Sequence, residues 1–242
     1  MEKIRLNKFI AQCGVCSRRD ADKLIENKKI TVNGEIAVAG TKVDLEDEVI
    51  YEGKRLSIEN EKVVLAFNKP IGVTCTENDP HAEKIITDFI DYPVRVTYAG
   101  RLDKDSEGLI LLTNDGDLID GLMRSRNFHE KEYIVRINKE VTDDFINSMK
   151  EGVFLKKLGL KTRKCKVSKL SEREFSIILT QGVNRQIRRM CKELNTKVLA
   201  LKRVRVANIR LASLKTGEYR KITGEELHML YNIVNNNSDK NN

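Results

Sequence analysis

Asp103 lies in the run Gly100-Arg101-Leu102-Asp103-Lys104-Asp105-Ser106-Glu107-Gly108-Leu109, two residues after Arg101 and just ahead of the apolar stretch Leu109-Ile110-Leu111-Leu112. A charged group at the mouth of a core element must be paired or used. A carboxylate beside a guanidinium stays ionised, which suits a nucleophile better than a general acid. The second candidate cluster is Asn184-Arg185-Gln186-Ile187-Arg188-Arg189-Met190. Ile187, Met190 and Cys191 fall at helical spacing and make an inner face, so Arg185, Arg188 and Arg189 cannot all point one way. One of them can face a carboxylate in a cleft while others meet phosphates. Tyr133 stands in a strand-like stretch; for a lone tyrosine, a sheet position with its hydroxyl in water is the commoner outcome.

Other chemistries find little support. Cys13-Gly14-Val15-Cys16 has the spacing of a zinc knuckle or a redox pair. No second ligand pair follows, His81, His129 and His228 are isolated, and structural zinc needs four ligands. A thioredoxin-type pair belongs in a βαβ unit. The two cysteines read instead as small residues in a tight turn between helices. Neither GxxxxGK[ST] nor GxGxxG occurs, which argues against nucleotide-driven or dinucleotide chemistry. No Ser/His pair is positioned for acyl transfer. The expectation is an activity without metal or cofactor.

The net charge is +8, and its distribution says more than its sum. Residues 161–210 hold fifteen Lys and Arg against three Asp and Glu, an excess of +12, whereas residues 61–160 carry an acidic excess. A second basic zone covers residues 1–29, with eight basic against four acidic side chains. Two separated basic zones point to a polyanion, most simply a nucleic acid; a solvated basic face fits scattered charge better than a block. No apolar run reaches the length of a membrane span, and Met1-Glu2-Lys3-Ile4-Arg5 has no signal-peptide character. The expected location is the cytoplasm, without membrane contact and with the five cysteines reduced.

The elements that must hold these groups fall into two parts. Residues 1–60 read as a small module. Leu6, Phe9 and Ile10 mark one helix, and Ser17 caps a second, with Asp20 as an acidic variant of the capping box. Ile30-Thr31-Val32, Asn33-Gly34 and Glu35-Ile36-Ala37 spell a hairpin around a type I′ turn, followed by a strand at Val49–Tyr51. Arg18 and Arg19 at the start of the second helix, with Arg5, Ser17, Lys23, Lys28 and Lys29, make a phosphate grip where N–H groups and the helix dipole favour anions. Residues 61–234 read as a larger α+β body. Its strands are predicted at Val63–Phe67, stopped by Asn68-Lys69-Pro70, and at 109–112, 132–137, 164–170, 174–180 and 198–214. Its helices are predicted at 85–90, from Asp117, at 142–149, at 184–194 and at 224–234. Residues 235–242 read as a disordered polar tail. Strict strand–helix alternation, the mark of a doubly wound sheet, is missing.

Together these pieces resemble the RsuA/RluB/RluE/RluF group of pseudouridine synthases. GRLDKDSEGLILLT is similar to its catalytic motif, Asn68-Lys69-Pro70-x-Gly72 to its first motif, and Lys131-Glu132-Tyr133 to its tyrosine strand. Gln181–Met190 matches its third motif. Residues 1–60, with Gly14-Val15-x-Ser17-Arg18-Arg19 and Val32-Asn33-Gly34, resemble the S4 RNA-binding module. The likeness spans about residues 3–230 in the family's order. It implies a small S4-type domain before a catalytic domain with a mixed, largely antiparallel sheet flanked by helices. It also implies an isomerase, without a cofactor, that turns a uridine of RNA into pseudouridine; nothing in the sequence suggests an obligate partner, so the expected state is a monomer. By this resemblance Asp103 attacks the sugar of the target nucleoside, Arg101 helps hold the flipped-out nucleotide, Tyr133 stacks on the base and Arg188 pairs with Asp103. Lys69 and Pro70 become structural supports. His129–Tyr133, Lys164–Val167 and NRQIRRMC lie nearest the RluF branch, which implies 23S rRNA as substrate. The same chemistry on 16S rRNA or tRNA, or a non-catalytic RNA-binding or ribosome-assembly factor, stays open at this stage. Arg185 and Arg189 join the expected RNA contacts.

Overall fold

The computed structural model describes residues 3–59, 61–77, 79, 81–124 and 128–239, with side chains to 236. Met1–Val63, joined by Tyr92–Val96 and Asn114–Gly116, forms one compact unit, and the rest forms a second. The two short insertions, and the boundary at Val63, are absent from a division drawn at residue 60.

The first unit runs β1 (Ile4–Arg5), α1 (Leu6–Gln12), α2 (Arg18–Glu26), β2 (Ile30–Val32), β3 (Glu35–Ile36), β4 (Lys42–Val43), β5 (Val49–Tyr51) and β6 (Lys54–Arg55). Ser17 caps α2 as its sequence predicts, its Oγ accepting from the Asp20 amide at 3.2 Å. Asn33 and Gly34 both have positive φ, 52° and 85°, the geometry a type I′ hairpin demands between β2 and β3. Leu6, Phe9, Ile10, Ala21, Ile25, Ile30, Val43 and Val49 close a core of their own.

The second unit adds β7 (Val64–Lys69), β8 (Thr97–Ala99), β9 (Glu107–Thr113), α3 (Gly116–Met123), β10 (Lys131–Ile137), α4 (Asp143–Lys150), β11 (Phe154–Leu155), β12 (Leu160–Lys161), β13 (Lys166–Lys169), β14 (Glu174–Leu179), α5 (Gln186–Glu193), β15 (Val198–Val206), β16 (Ile209–Arg210), β17 (Tyr219–Lys221) and α6 (Gly224–Asp239). Its main sheet has the order β13-β14-β10-β15-β9-β7-β17. Every pairing in it is antiparallel except β9 with β15, which meet in parallel at Lys202↔Glu107 and Arg203↔Gly108. This is the mixed, largely antiparallel sheet that the family resemblance implies.

Two cores flank that parallel joint. Val135, Phe145, Met149, Phe175, Ile177, Ile187 and Met190 pack β10 and β14 against α4 and α5. Val64, Ala66, Leu109, Leu111, Leu118, Leu122, Leu230 and Val234 pack β7 and β9 against α3 and α6. Each buried Val, Leu, Ile, Phe or Met among them contributes about 1.5–3 kcal/mol, so both halves of the sheet hold their shape beside the joint. Gly108 permits the joint: with φ +107°, a Cβ there would lie 2.3 Å from the Arg203 carbonyl oxygen.

Several element boundaries differ from expectation. Strand β7 runs through Asn68 and Lys69, because the donors of both side chains find carbonyls inside: Asn68 Nδ2 donates to the Leu214 carbonyl at 2.8 Å, and Lys69 Nζ to two nearby carbonyls. The helix expected at 85–90 is a single 3-10 turn, Ile86–Phe89. Helix α5 starts at Gln186, since Arg185 is left-handed at φ 52°. Helix α6 continues to Asp239, past the expected end at Val234, so residues 235–239 are helical rather than a disordered tail; 240–242 lie outside the described residues. Among the described residues no helix is long and apolar enough to cross a membrane.

Candidate active site

Asp103 sits on the connection from β8 to β9, two strands that pair from Thr97↔Thr113 to Ala99↔Leu111. Beyond Ala99 the chain leaves the sheet, and β15 takes over that edge of β9. The excursion 100–106 therefore stands where the two halves of the sheet meet. The Ser106 amide donates to the Asp103 carbonyl at 3.0 Å and closes a tight turn. A neighbouring segment holds the turn in place: the Gly72 amide donates to the Lys104 carbonyl at 2.8 Å, and the Leu102 amide to Cys75 Sγ at 3.4 Å. Lys69 anchors that segment in turn. Its fully buried ammonium donates to the carbonyls of Pro70 at 2.8 Å and Val73 at 2.9 Å, and burial pushes its pKa down.

Helix α5 brings the arginines. Arg185 forks onto Asp105, Nη1 to Oδ1 at 3.1 Å and Nη2 to Oδ2 at 2.8 Å, and its Nη1 lies 3.6 Å from Asp103 Oδ2. Hydrogen bonding from Arg185 holds the Asp105 carboxyl below its ordinary pKa and raises that of Arg185. Arg188 Nη2 donates to the Asp105 carbonyl at 2.8 Å and to Ser106 Oγ at 3.3 Å. The expected Arg188–Asp103 pair is thus not the one formed. The left-handed backbone at Arg185 sends that side chain across the turn, while Arg188, nearly one helical turn further on, reaches the turn's backbone. Arg189 folds onto Asn184, Nε to its carbonyl at 2.9 Å, so its guanidinium is engaged at the helix start.

Asp103, Arg101, Tyr133, Arg185 and Arg188 line one cavity of about 460 Å³, large enough for a nucleoside. Among the described residues lining it, Asp103 is the single carboxylate; Lys104, Arg124, Lys131 and Arg203 add further cations. The Asp103 side chain keeps 27% exposure, so its oxygens stay within reach of a ligand. Tyr133 lies opposite Arg203 across the β10–β15 pairing, next to a bulge that leaves Val204 as the extra residue on β15; bulges re-aim side chains beside functional sites. Lys131, Arg203 and Asp105 escaped the sequence reading. The strand period that places Lys131 beside Tyr133 was the available signal for the first; nothing local marked Arg203, whose Cα partners come from distant strands.

In the first unit Arg5, Arg18, Arg19, Lys23, Lys28 and Lys29 are all exposed. The Lys23 ammonium is shared with Asp20 at 2.9 Å, and the Ser17 hydroxyl is taken up by the helix cap. Burial raises the thiol pKa of Cys16, and that of Cys13 to about 12, the condition of an unreactive thiol. The +12 block is not a free basic face. Arg205 pairs with Glu130 at 2.9 Å and Glu132 at 2.8 Å, Lys164 with Glu151 at 2.6 Å, and Lys166 with Glu130 at 3.4 Å.

A lone carboxylate in a cation-lined cavity, beside an aromatic ring and between two half-sheets, fits an enzyme that works on a polyanionic nucleoside chain. The RNA pseudouridylate synthase family model matches residues 63–193, more than half the chain, and the S4 domain model matches 4–49; the chain belongs to the RNA pseudouridylate synthase family. Among particular relatives, it is 44% identical over 239 residues to the dual-specificity RNA pseudouridine synthase RluF of Escherichia coli O6:H1, covering 98% of this chain and 81% of that protein. It is 34% identical to ribosomal large subunit pseudouridine synthase B of Bacillus subtilis, covering 93% of this chain and 95% of that one. A solved pseudouridylate synthase crystal structure superposes with a TM-score of 0.70 at 32% identity, covering 94% of this chain and 99% of that chain. The protein is an RNA pseudouridine synthase, an isomerase with an S4 RNA-binding domain.

Proposed function

We propose that this enzyme isomerises a uridine of 23S ribosomal RNA, with Asp103 attacking the sugar of the target nucleoside. The observation that carries the assignment is the position of Asp103 as the single described carboxylate of a cation-lined, nucleoside-sized cavity. Uridine and pseudouridine have the same atoms. Asp103 bonds to C1′ as the C1′–N1 bond breaks with its electron pair leaving on the base; the base turns, C5 bonds to C1′ as the Asp103–C1′ bond breaks, and the proton lost from C5 is made good at N1 from solvent. The nucleoside must first leave its stack, which costs a few kcal/mol and least in loops and single strands. Stacking on an aromatic ring contributes about 1–3 kcal/mol per base, so Tyr133 offsets much of that. Arg101 holds the flipped nucleotide, while Arg185 and Arg188 fix the turn that presents Asp103.

Exposed Arg5, Arg18, Arg19, Lys23, Lys28 and Lys29 grip backbone phosphates, with Ser17 setting the helix start. The enzyme works in the cytoplasm as a monomer. The large-subunit name of the Bacillus subtilis relative supports the choice of substrate. The dual specificity in the name of the Escherichia coli relative supports a second RNA as a further substrate. Pseudouridine mapping over all stable RNAs of a strain lacking the protein tests this. Loss of a 23S position is the expected result; losses confined to 16S rRNA or tRNA would move the assignment, and no loss anywhere would overturn it.

A further inference from the structure

We infer that Lys131 and Arg203 form a donor-only cationic pair that takes the uracil carbonyl oxygens and stabilises the base anion released when the C1′–N1 bond breaks. The inference rests on the reading that the Asp103 cavity receives the target uridine. Both residues line that cavity. Arg203 pairs with Gly108 of β9 on one side and Tyr133 of β10 on the other, so its row crosses the joint of the two half-sheets. The whole residue is 2% exposed. Nε donates to the Leu109 carbonyl at 2.6 Å, which fixes the group, while Nη2 is buried without a hydrogen-bond partner. Lys131 stands two residues before Tyr133 on β10, hence on the same face of the strand.

Burying a cation costs several kcal/mol unless an anion compensates. Here burial and the neighbouring Arg203 push the Lys131 pKa down to about 8, with no carboxylate acting against them. Two cations held together at the wall of a substrate cavity are a poor arrangement for the empty protein. They become favourable when negative charge arrives. Heterolysis of the C1′–N1 bond delivers it: the electron pair goes to N1 and spreads over the ring to O2 and O4. The same charge is withdrawn when C5 attacks C1′, and the C5 proton is then exchanged for one at N1, so the pair gains most at the intermediate. Donors fixed in advance at the site where charge develops are the efficient way to lower such a barrier. Neither group offers an acceptor, so the pair also suits the O4 of uracil and not the amino group of cytosine.

Single-turnover rates and RNA affinities on unmodified rRNA test the inference, comparing wild type with Lys131→Met, Lys131→Gln, Lys131→Arg and Asp103→Asn. The neutral variants should lose on the order of 10²–10³ in rate with affinity nearly unchanged, and Lys131→Arg should recover most of the loss. In RNA carrying 5-fluorouridine, whose base is the more stable anion, the loss of intact nucleoside should depend less on Lys131. Two neutral variants guard against one failing to fold. Neutral variants that turn over at the wild-type rate, or whose whole defect lies in affinity, would overturn the inference while leaving Asp103 in place. Wild-type turnover by Asp103→Asn would instead remove the reading beneath it.

Discussion

Gly108→Ala is expected to destabilise the protein by about 2–6 kcal/mol. The added methyl would lie 2.3 Å from the Arg203 carbonyl oxygen and 2.7 Å from its nitrogen, both backbone atoms of a central strand. Neither can rotate aside, so β9 and β15 must separate. Overpacking of this kind costs about 1–3 kcal/mol. Holding a residue with a Cβ at φ +107° adds roughly 1–3 kcal/mol more. Against a total stability of about 5–15 kcal/mol, the variant loses a large share. Because the contact is also the parallel joint, the change moves Arg203 and the start of β9 together, and turnover falls beyond what the folded fraction explains. Urea unfolding midpoints measure the first effect and single-turnover rates on folded enzyme the second. Gly116→Ala is the control: nothing lies within 4 Å of its Cβ and its φ is ordinary, so it should stay within about 1 kcal/mol of wild type. A Gly108→Ala loss under about 1 kcal/mol would refute the account of the joint.

Asp105→Asn should cost under about 1 kcal/mol of stability, since its pair with Arg185 is half exposed. It should nevertheless lower turnover clearly by releasing the arginines that fix the turn, and equal losses in melting and rate assays would count against that role. The Asp105 pair also sets a pH direction: its carboxyl titrates below its ordinary value, so its small contribution is full above about pH 4 and fades as pH falls through the folded pKa. Lys131 acts oppositely on rate and on stability. Its folded pKa is lowered from about 10.5 to about 8, so turnover should fall as pH rises through about 8. Across the same window the unfolded chain holds the extra proton, and stability from this group rises with pH. Arg203, Arg101, Asp103, Arg124 and Arg188 line the same cavity, with His129 and Tyr133 on the Lys131 segment; burial holds the His129 pKa down, away from that window. A pH–rate profile that stays unchanged in Lys131→Arg would assign the alkaline limb elsewhere. Ser17→Ala removes the α2 cap and should cost about 0.5–2 kcal/mol, read by thermal unfolding, with little effect on turnover at saturating RNA.

Much of this architecture is legible locally. The apolar runs at 64–67 and 109–112 can only be buried strands, Asn33-Gly34 requires the mirror-image turn it makes, and Ser17 with Asp20 marks a helix start. Asp103 stood out because a charged turn runs straight into a core strand. What the sequence hides are facts about pairing at a distance. The parallel contact of Gly108 with Arg203 joins segments far apart in the chain, and Gly108 looks like any turn glycine until β15 is laid against it. Arg203 reads as one more charge of an alternating basic strand, although it is the largest of the fully buried side chains among the described residues. The +12 block suggested a broad phosphate-binding face; Glu130, Glu132 and Glu151, from the acidic stretch before it, take up part of that charge. Arg185 rather than Arg188 approaches Asp103, with Arg188 bound to the Asp105 carbonyl, because a single left-handed residue, Arg185, resets where the helix begins.

The most direct test of the central claim is single-turnover pseudouridine formation by Asp103→Asn on unmodified 23S rRNA, with RNA affinity measured in parallel. The substitution keeps the size of the side chain and removes its charge, leaving the Asp105–Arg185 pair to hold the turn. The account predicts RNA binding close to wild type with no detectable pseudouridine. Formation at a rate near wild type would contradict it.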